Sequence, residues 1–295
     1  MDNLRQIKKR IRIVREVRHV TRAMKLVAAA KLRSAQERVQ AARPYARKTS
    51  EVLVDICSMM SSPPHPFLQE RPVQHVGLVV ITSDRRLCGR YNQDILELAM
   101  REAAKFGGPE KVFIIAVGRV ARDFFRAHGF TVKASYERLS SRPTFAWAEN
   151  IADRIGDFYT AGIFDRVYLI YSRFHSAMEQ VPRTFQLIPA KPSAELQASS
   201  PEAGGVRIRI WNRDIQPSAL DVIDRLVTRY MQAAVYRALL EAEASERGAR
   251  MTAMTTATDN ATEMIEKLST AYNRERQMVI TREISEIIAG AEAVR

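Results

Sequence analysis

The chain has 295 residues, 46% of them apolar, with only 12 Gly and 12 Pro and a formal net charge of +13. This is an ordered, helix-rich composition, long enough for one large or two ordinary domains, and it excludes a disordered protein. Two cysteines, Cys57 and Cys88, are too few for a disulfide framework or a zinc site and read as reduced thiols of a cytosolic protein, and with no run of 18 apolar residues the sequence predicts no membrane-spanning helix.

Residues 1–60 read as one helical segment. Up to residue 48 it holds fifteen Lys/Arg against Asp2, Glu16 and Glu37, so the positive field of the chain is concentrated here and calls for an acidic partner. Its Arg-rich start, MDNLRQIKKRIRIV, lacks a signal-peptide apolar core and runs straight on into the helical pattern, so it reads as mature structure rather than a targeting segment. Apolar residues recur in threes and fours as Leu4, Ile7, Ile11, Val14, Val17, Val20, Met24 and Val27, then Leu32, Ala35 and Val39. That spacing predicts a stripe close to the coiled-coil period. A basic stripe runs beside it through Arg5, Lys8, Arg12, Arg15, Arg18, Arg22 and Lys25. Pro44 marks a kink or a boundary.

Residues 73–211 change pattern. VGLVVIT (76–82), VFIIAVG (112–118) and FDRVYLIYSRF (164–174) read as buried strands. Helical patterns follow or precede them at 93–106, 119–128 and 145–162. Strands alternating with helices predict βαβ units, a parallel sheet and a Rossmann-like α/β domain. VPRTFQLIPA (181–190) reads as one further strand, antiparallel after a hairpin, and KPSAELQASSPEAGG (191–205) as a polar loop.

Residues 217–295 read as one very long helix, starting after Pro217 and ending at Gly290, with Gly248 as a costly interior position. Its apolar positions run through Leu220, Ile223, Val227, Tyr230, Ala234 and Leu239, then Met254, Ala261, Ile265, Leu268, Tyr272, Val279, Ile284 and Ile288. A lone helix of that length needs a partner, and the N-terminal stripe is the candidate. The fold class expected is therefore α/β: a long antiparallel coiled coil of the N- and C-terminal helices with the α/β domain inserted between them.

No catalytic constellation emerges. The phosphate-cradling glycine loops are missing, and the five histidines show no metal-ligand spacing. Cys88 in TSDRRLCG lacks a histidine partner in the sequence, and Asp84 and Asp94 make no metal set. The expectation is no catalytic residue, no cofactor and no metal in this chain. A basic helix running into a coiled coil also fits a nucleic-acid-binding protein of the basic-zipper kind. Against that reading, the basic residues lie beside the apolar stripe and not ahead of it.

Three stretches carry a resemblance. TRAMKLVAAAKLRSAQ (21–36), ITSDRRLCGRYN (81–92) and YRALLEAEASERGARMTAMTTATDNATEMIEKLSTAYNRERQMVITREISEIIAGAEAV (236–294) resemble, in this order, the γ subunit family of F-type ATP synthases. The likeness spans essentially the whole chain. It implies a central-stalk rotor inside a ring of α and β subunits, with the α/β domain at its foot beside the ε subunit on a membrane ring of c subunits. Ion flow through that ring is coupled by the rotor to ATP synthesis, or hydrolysis to pumping, at catalytic sites on β. The resemblance also implies regulation of the ATPase and residence on the cytoplasmic side of a bacterial cell membrane, held there by the complex.

Roles carry over by position. Arg22, Met24 and Lys25 match the shaft facing the acidic lever loops of β. Arg276, Gln277 and Thr281 match the upper shaft at the β catch loops, and Ile287 to Val294 the tip held in the apolar collar of the ring. Arg85, Arg86 and Arg90 form a possible contact loop toward β or ε. Arg86 and Arg90 stand where the family usually has Gly, which leaves the loop's backbone open, and Gly248 stands in place of a usual Ala. No Cys-containing insertion interrupts the middle domain, so the thiol switch of chloroplast relatives is not expected.

Overall fold

A β-branched run such as VGLVVI has no polar side to turn to water, so it must be covered on both faces. In the computed structural model, which describes residues 2–58, 65–137, 142–190 and 219–292, that run is strand β1 (Val76–Ile81) and is buried at all six positions. In chain order the elements are α1 (Asp2–Ser58), β1, α2 (Tyr91–Lys105), β2 (Val112–Val117), α3 (Arg119–Ala127), β3 (Thr131–Tyr136), α4 (Phe145–Thr160), β4 (Arg166–Phe174), β5 (Gln180–Ile188) and α5 (Ala219–Glu292). The strands form one sheet in the order β3-β2-β1-β4-β5. The first four strands across it are parallel, with Val76 opposite Val112 and Ile81 opposite Val117, and β5 pairs antiparallel to β4.

Alternate residues of the strands feed two cores. Leu78, Val80, Ile114 and Ala116 face α2 and α3 through Ile95, Ala99, Ala121 and Phe125. Val79, Ile81, Ile115 and Leu169 face α4 and α5 through Ile151, Ile155, Val227, Met231 and Val235, with Leu53 of α1 added. Phe164, read from the sequence as strand, is instead a plug in this second core. It lies where a Cβ on Gly77 would come within 2.8 Å of its ring.

Strand β3 is the element the sequence concealed. It is TVKASY on the sheet's edge, alternating exposed and half-buried, with no apolar run to announce it. Helix α2 starts two residues before the expected Gln93. Pro44 lies inside α1 without ending it, and Gly290 lies inside α5, which continues to Glu292. Pro217, Ser218 and the loop expected at 191–205 fall outside the described residues.

Tyr230 of α5 is buried, and among the described residues its hydroxyl has no hydrogen-bond partner. Burial accordingly pushes its phenol far above the usual tyrosine range. Tyr230→Phe is expected to stabilise the chain by about 1 kcal/mol, because it removes an unpaid desolvation and leaves the packing in place. The midpoint of urea unfolding measures this, and a fall in midpoint contradicts it.

The chain falls into two units: residues 1–29 with 250–295, and residues 30–249. Helices α1 and α5 contribute to both. In the first unit they form an antiparallel pair. Its α1 seam is Leu4, Ile7, Ile11, Val14, Arg18, Thr21, Lys25 and Ala28, all buried or half-buried and alternating strictly in steps of three and four. Its α5 seam is Met254, Thr258, Ala261, Ile265, Leu268, Tyr272, Glu275 and Val279. The expected stripe is corrected at several places. Val17, Val20 and Val27 are 48%, 54% and 55% exposed, and Ile284 and Ile288 are 52% and 56% exposed. Arg18, Thr21 and Ala28 occupy the seam instead, because a strict 3.5-residue repeat keeps each step in register with the partner.

Candidate functional site: a two-flanked helix pair and the loop after β1

Thr21 and Thr258 make the polar layer of the seam. Thr258 Oγ1 donates to Thr21 Oγ1 at 2.9 Å, and Thr21 Oγ1 donates on to Arg18 O at 3.1 Å. A polar pair in such a seam fixes which residues face each other. With that alignment set, the residues beside the seam sort into two flanks. In an antiparallel pair, the residue just before the first seam position of each heptad lies beside its counterpart on the other helix, and the residue after the second seam position does likewise.

One flank is apolar. On α1 it carries Ile13, Val17, Val20, Met24 and Val27, with Arg10 toward its N-terminal end, and on α5 Ala257, Met264, Ala271 and Met278. Ile13, Met264 and Met278 are 53%, 52% and 51% exposed, so this side is open to water along much of its length. The other flank is mainly basic and hydroxylic: Arg5, Lys8, Arg12, Arg15 and Arg22 from α1, and Thr255, Thr262, Ser269 and Arg276 from α5, with Asp259 and Glu266 at its outer edge. Two ion pairs of this unit, Lys267 with Glu263 at 2.5 Å and Arg282 with Glu286 at 3.0 Å, lie within α5. Among the described residues none of the nine Lys and Arg from Arg5 to Lys25 has an acidic partner.

The expected contact residues divide accordingly. Arg22 and Arg276 are exposed on the basic flank, Met24 is half-buried on the apolar flank, and Lys25 is half-buried in the seam. Gln277 and Thr281 are exposed, and Thr281 lies past Val279, after which α5 is exposed at every described position to Gly290. Arg276 is 18 residues beyond Thr258. At ~1.5 Å per residue that places it about 27 Å along the axis from the level of Arg22, so the structure forms two levels and not one cluster. The apolar flank was missed in the sequence because its residues were merged with the seam. Strict counting by 3.5 separates them.

The loop after β1 is held by its own side chains. Ser83 N and Oγ donate to Asn92 Oδ1 at 2.9 and 3.0 Å, and Asn92 Nδ2 lies 3.1 Å from the Sγ of Cys88. Cys88 is buried, as a packed thiol and not an exposed nucleophile. Left-handed backbone falls at Leu87 (φ 68°) and Gly89 (φ 59°), while Arg90 sits at φ −83°. Arginine at 86 and 90 therefore asks nothing unusual of the backbone. Arg85 and Arg86 are exposed, and Arg90 pairs with Asp94 at 3.1 Å and reaches Glu97 at 3.9 Å.

The same loop explains the missing phosphate cradle. Helix N-termini bind anions through free N–H groups. At α3 those groups are occupied: Arg119 N donates to Asp84 Oδ1 at 3.2 Å, and Ala121 N to Thr82 Oγ1 at 2.9 Å. A groove of about 830 Å³ between α2 and α3 is lined by Leu87, Leu96, Met100, Val120 and Phe124, with Arg86 at its rim. Among the described residues no group of three or more His, Cys, Asp and Glu could hold a metal ion, and no helix is long and apolar enough to cross a membrane.

The family model described as ATP synthase matches residues 3–294. The chain is 44% identical over 294 residues to the ATP synthase gamma chain of Heliobacterium modesticaldum, covering all of both chains. It is 43% identical to that of Brevibacillus brevis, covering 98% of each. Among solved structures it is similar to a chain of the Tetrahymena thermophila mitochondrial ATP synthase central stalk and c-ring, with a TM-score of 0.61 at 26% identity over 81% of this chain and 99% of that one. A chain of the Euglena gracilis mitochondrial ATP synthase shares the fold, with a TM-score of 0.70 at 19% identity over 99% of this chain and 95% of that one.

Proposed function

The chain belongs to the ATP synthase gamma-chain family, and from that footing we propose that it is the central-stalk rotor subunit of an F-type ATP synthase. It couples proton flow through a membrane c-ring to ATP synthesis at catalytic sites on β, and in reverse couples hydrolysis to pumping. It joins the membrane through the complex, on the cytoplasmic face of a bacterial cell membrane.

The observation that carries the reading is the basic flank. Five cationic side chains of α1 on one flank, with no ion-pair partner among the described residues, are stable only in water or against an acidic neighbour. Exposed charge pairs are weak individually and are made and broken quickly. That suits a surface which must let go at each step. Arg22, with Met24 and Lys25 at its level, meets the acidic lever loops of β, and Arg276, Gln277 and Thr281 meet the catch loops. Arg85, Arg86 and Arg90 offer a further basic contact, and the α/β domain seats the ε subunit and the c-ring.

Reconstitution tests this directly. Mixed with α and β subunits, the chain is expected to form one stoichiometric complex whose ATPase depends on its presence; a mixture that stays as separate α, β and this chain defeats the proposal. The isolated chain is expected to show no saturable ATP binding in equilibrium dialysis up to about 1 mM, above the weak limit of useful nucleotide affinity. Micromolar binding to the isolated chain contradicts that.

A further inference from the structure

Apolar packing holds a helix against its neighbours without fixing its rotation, because dispersion and the hydrophobic effect have little direction. From Met231 to Gly248, α5 is buried at every position except the half-buried Tyr236. Within the last two turns of that stretch, four different elements take hold of it. Tyr91 Oη of α2 donates to Ala242 O at 3.1 Å. Arg38 Nη2 of α1 donates to Glu243 Oε2 at 2.6 Å, with the side chains only 17% and 4% exposed. Ser245 Oγ donates to Ser172 O of β4 at 3.0 Å. The β4–β5 hairpin closes on Gly248, where an added Cβ would stand 3.1 Å from Ala177 O. At about 100° per residue, positions 242, 243, 245 and 248 point about 0°, 100°, 300° and 240° round the helix. The holds therefore arrive from all sides.

We propose that residues 242–248 of α5 are a clamp that makes the helix turn with the α/β domain and not within it, so that rotation imposed on the domain reaches the rest of α5 without slip. The positioning residues are Tyr91, Arg38, Glu243, Ser245 and Gly248. Rotating α5 inside its seat requires breaking the directional bonds together, and the glycine spares the hairpin backbone the few tenths of an ångström by which a Cβ would push it back. The inference rests on the rotor reading.

The test uses the complex assembled with α and β on c-ring vesicles, comparing ATP hydrolysis with proton pumping. The double variant Tyr91→Phe/Ser245→Ala keeps the packing and removes two of the bonds. It is expected to hydrolyse ATP within about twofold of the parent while protons pumped per ATP fall by roughly half or more, since two lost bonds raise slipped states on the order of tenfold. Arg38→Glu and Glu243→Arg are each expected to lower the same ratio, and the two combined to restore most of it, a rescue that loss of fold alone does not give. An unchanged ratio in the double variant overturns the clamp. If the double variant does not assemble, Tyr91→Phe alone decides it: angular fluctuations in single-molecule rotation widen if the clamp exists and stay the same if it does not. Failure of the parent chain to assemble with α and β is a separate outcome, which removes the rotor reading itself.

Discussion

Changing Arg22 and Arg276 together to glutamate lowers ATP synthesis and ATP-driven pumping by the assembled complex at least about tenfold, while the isolated chain melts within about 2 °C of the parent. The two halves of that expectation come from different facts. Both side chains are exposed on the basic flank, neither has an ion pair among the described residues, and neither lies in the seam. Reversing them therefore costs the fold little, as for most exposed positions. Against an acidic partner each change removes an attraction of about 1 kcal/mol and adds a repulsion of similar size. Two such contacts total roughly 2–4 kcal/mol, and every 1.4 kcal/mol is a factor of ten in rate. Lys25→Glu is a poorer probe, since it also places an acid in the seam beside the Thr21 layer. Coupled synthesis in vesicles and a thermal melt decide the matter, and unchanged synthesis takes the basic flank out of the torque path. Val17→Ser with Val20→Ser, on the apolar flank, is the companion variant that shows whether charge or general contact is responsible.

Gly118→Ala is expected to destabilise the isolated chain by about 4 kcal/mol or more, enough to leave much of it unfolded at 37 °C. Gly118 links β2 to α3 at φ 103°, and its amide donates to Tyr136 O at 2.7 Å. An added Cβ would stand 2.3 Å from Thr82 O. That carbonyl cannot withdraw easily: Thr82 N donates to Val117 O at 2.8 Å, and Thr82 Oγ1 accepts from Ala121 N at 2.9 Å. The backbone strain alone is worth about 1–3 kcal/mol, and the clash adds to it. Gly129→Ala separates the two causes. Gly129 has φ 77° but nothing within 4 Å of an added Cβ, so its cost is strain only. If both variants unfold at the same urea concentration, the clash with Thr82 is not the cause.

The central strands and both long helices were legible because their signals are collective. A run such as VFIIAV has one plausible environment, and dozens of helix-compatible residues in a row have one plausible conformation. β3 was not legible. An edge strand half open to water needs no apolar run, and TVKASY has none. The seam was half legible: apolar identity found Leu4, Ile7, Ile11 and Val14, but could not tell that Arg18, Thr21 and Lys25 continue it while Val17 and Val20 step aside. The basic candidates at 22 and 276 could be named from resemblance, yet their sharing one flank depends on the alignment of two segments more than 200 residues apart. Gly248 read as a cost within the helix, and the reason for it, a hairpin arriving from residues 174–180, is invisible along the chain.

The two flanks carry one more consequence. A rod that is basic on one side and greasy on the other has no three-fold axis, even if its outline were perfectly round. Three identical neighbours placed round it at equal angles would, at any instant, face a cationic side, an oily side and the boundary between them. Identical proteins would then be held out of phase by surface chemistry alone, and the phase would advance as the rod turned. Such a rotor is a cam whose lobe is written in charge as well as in shape.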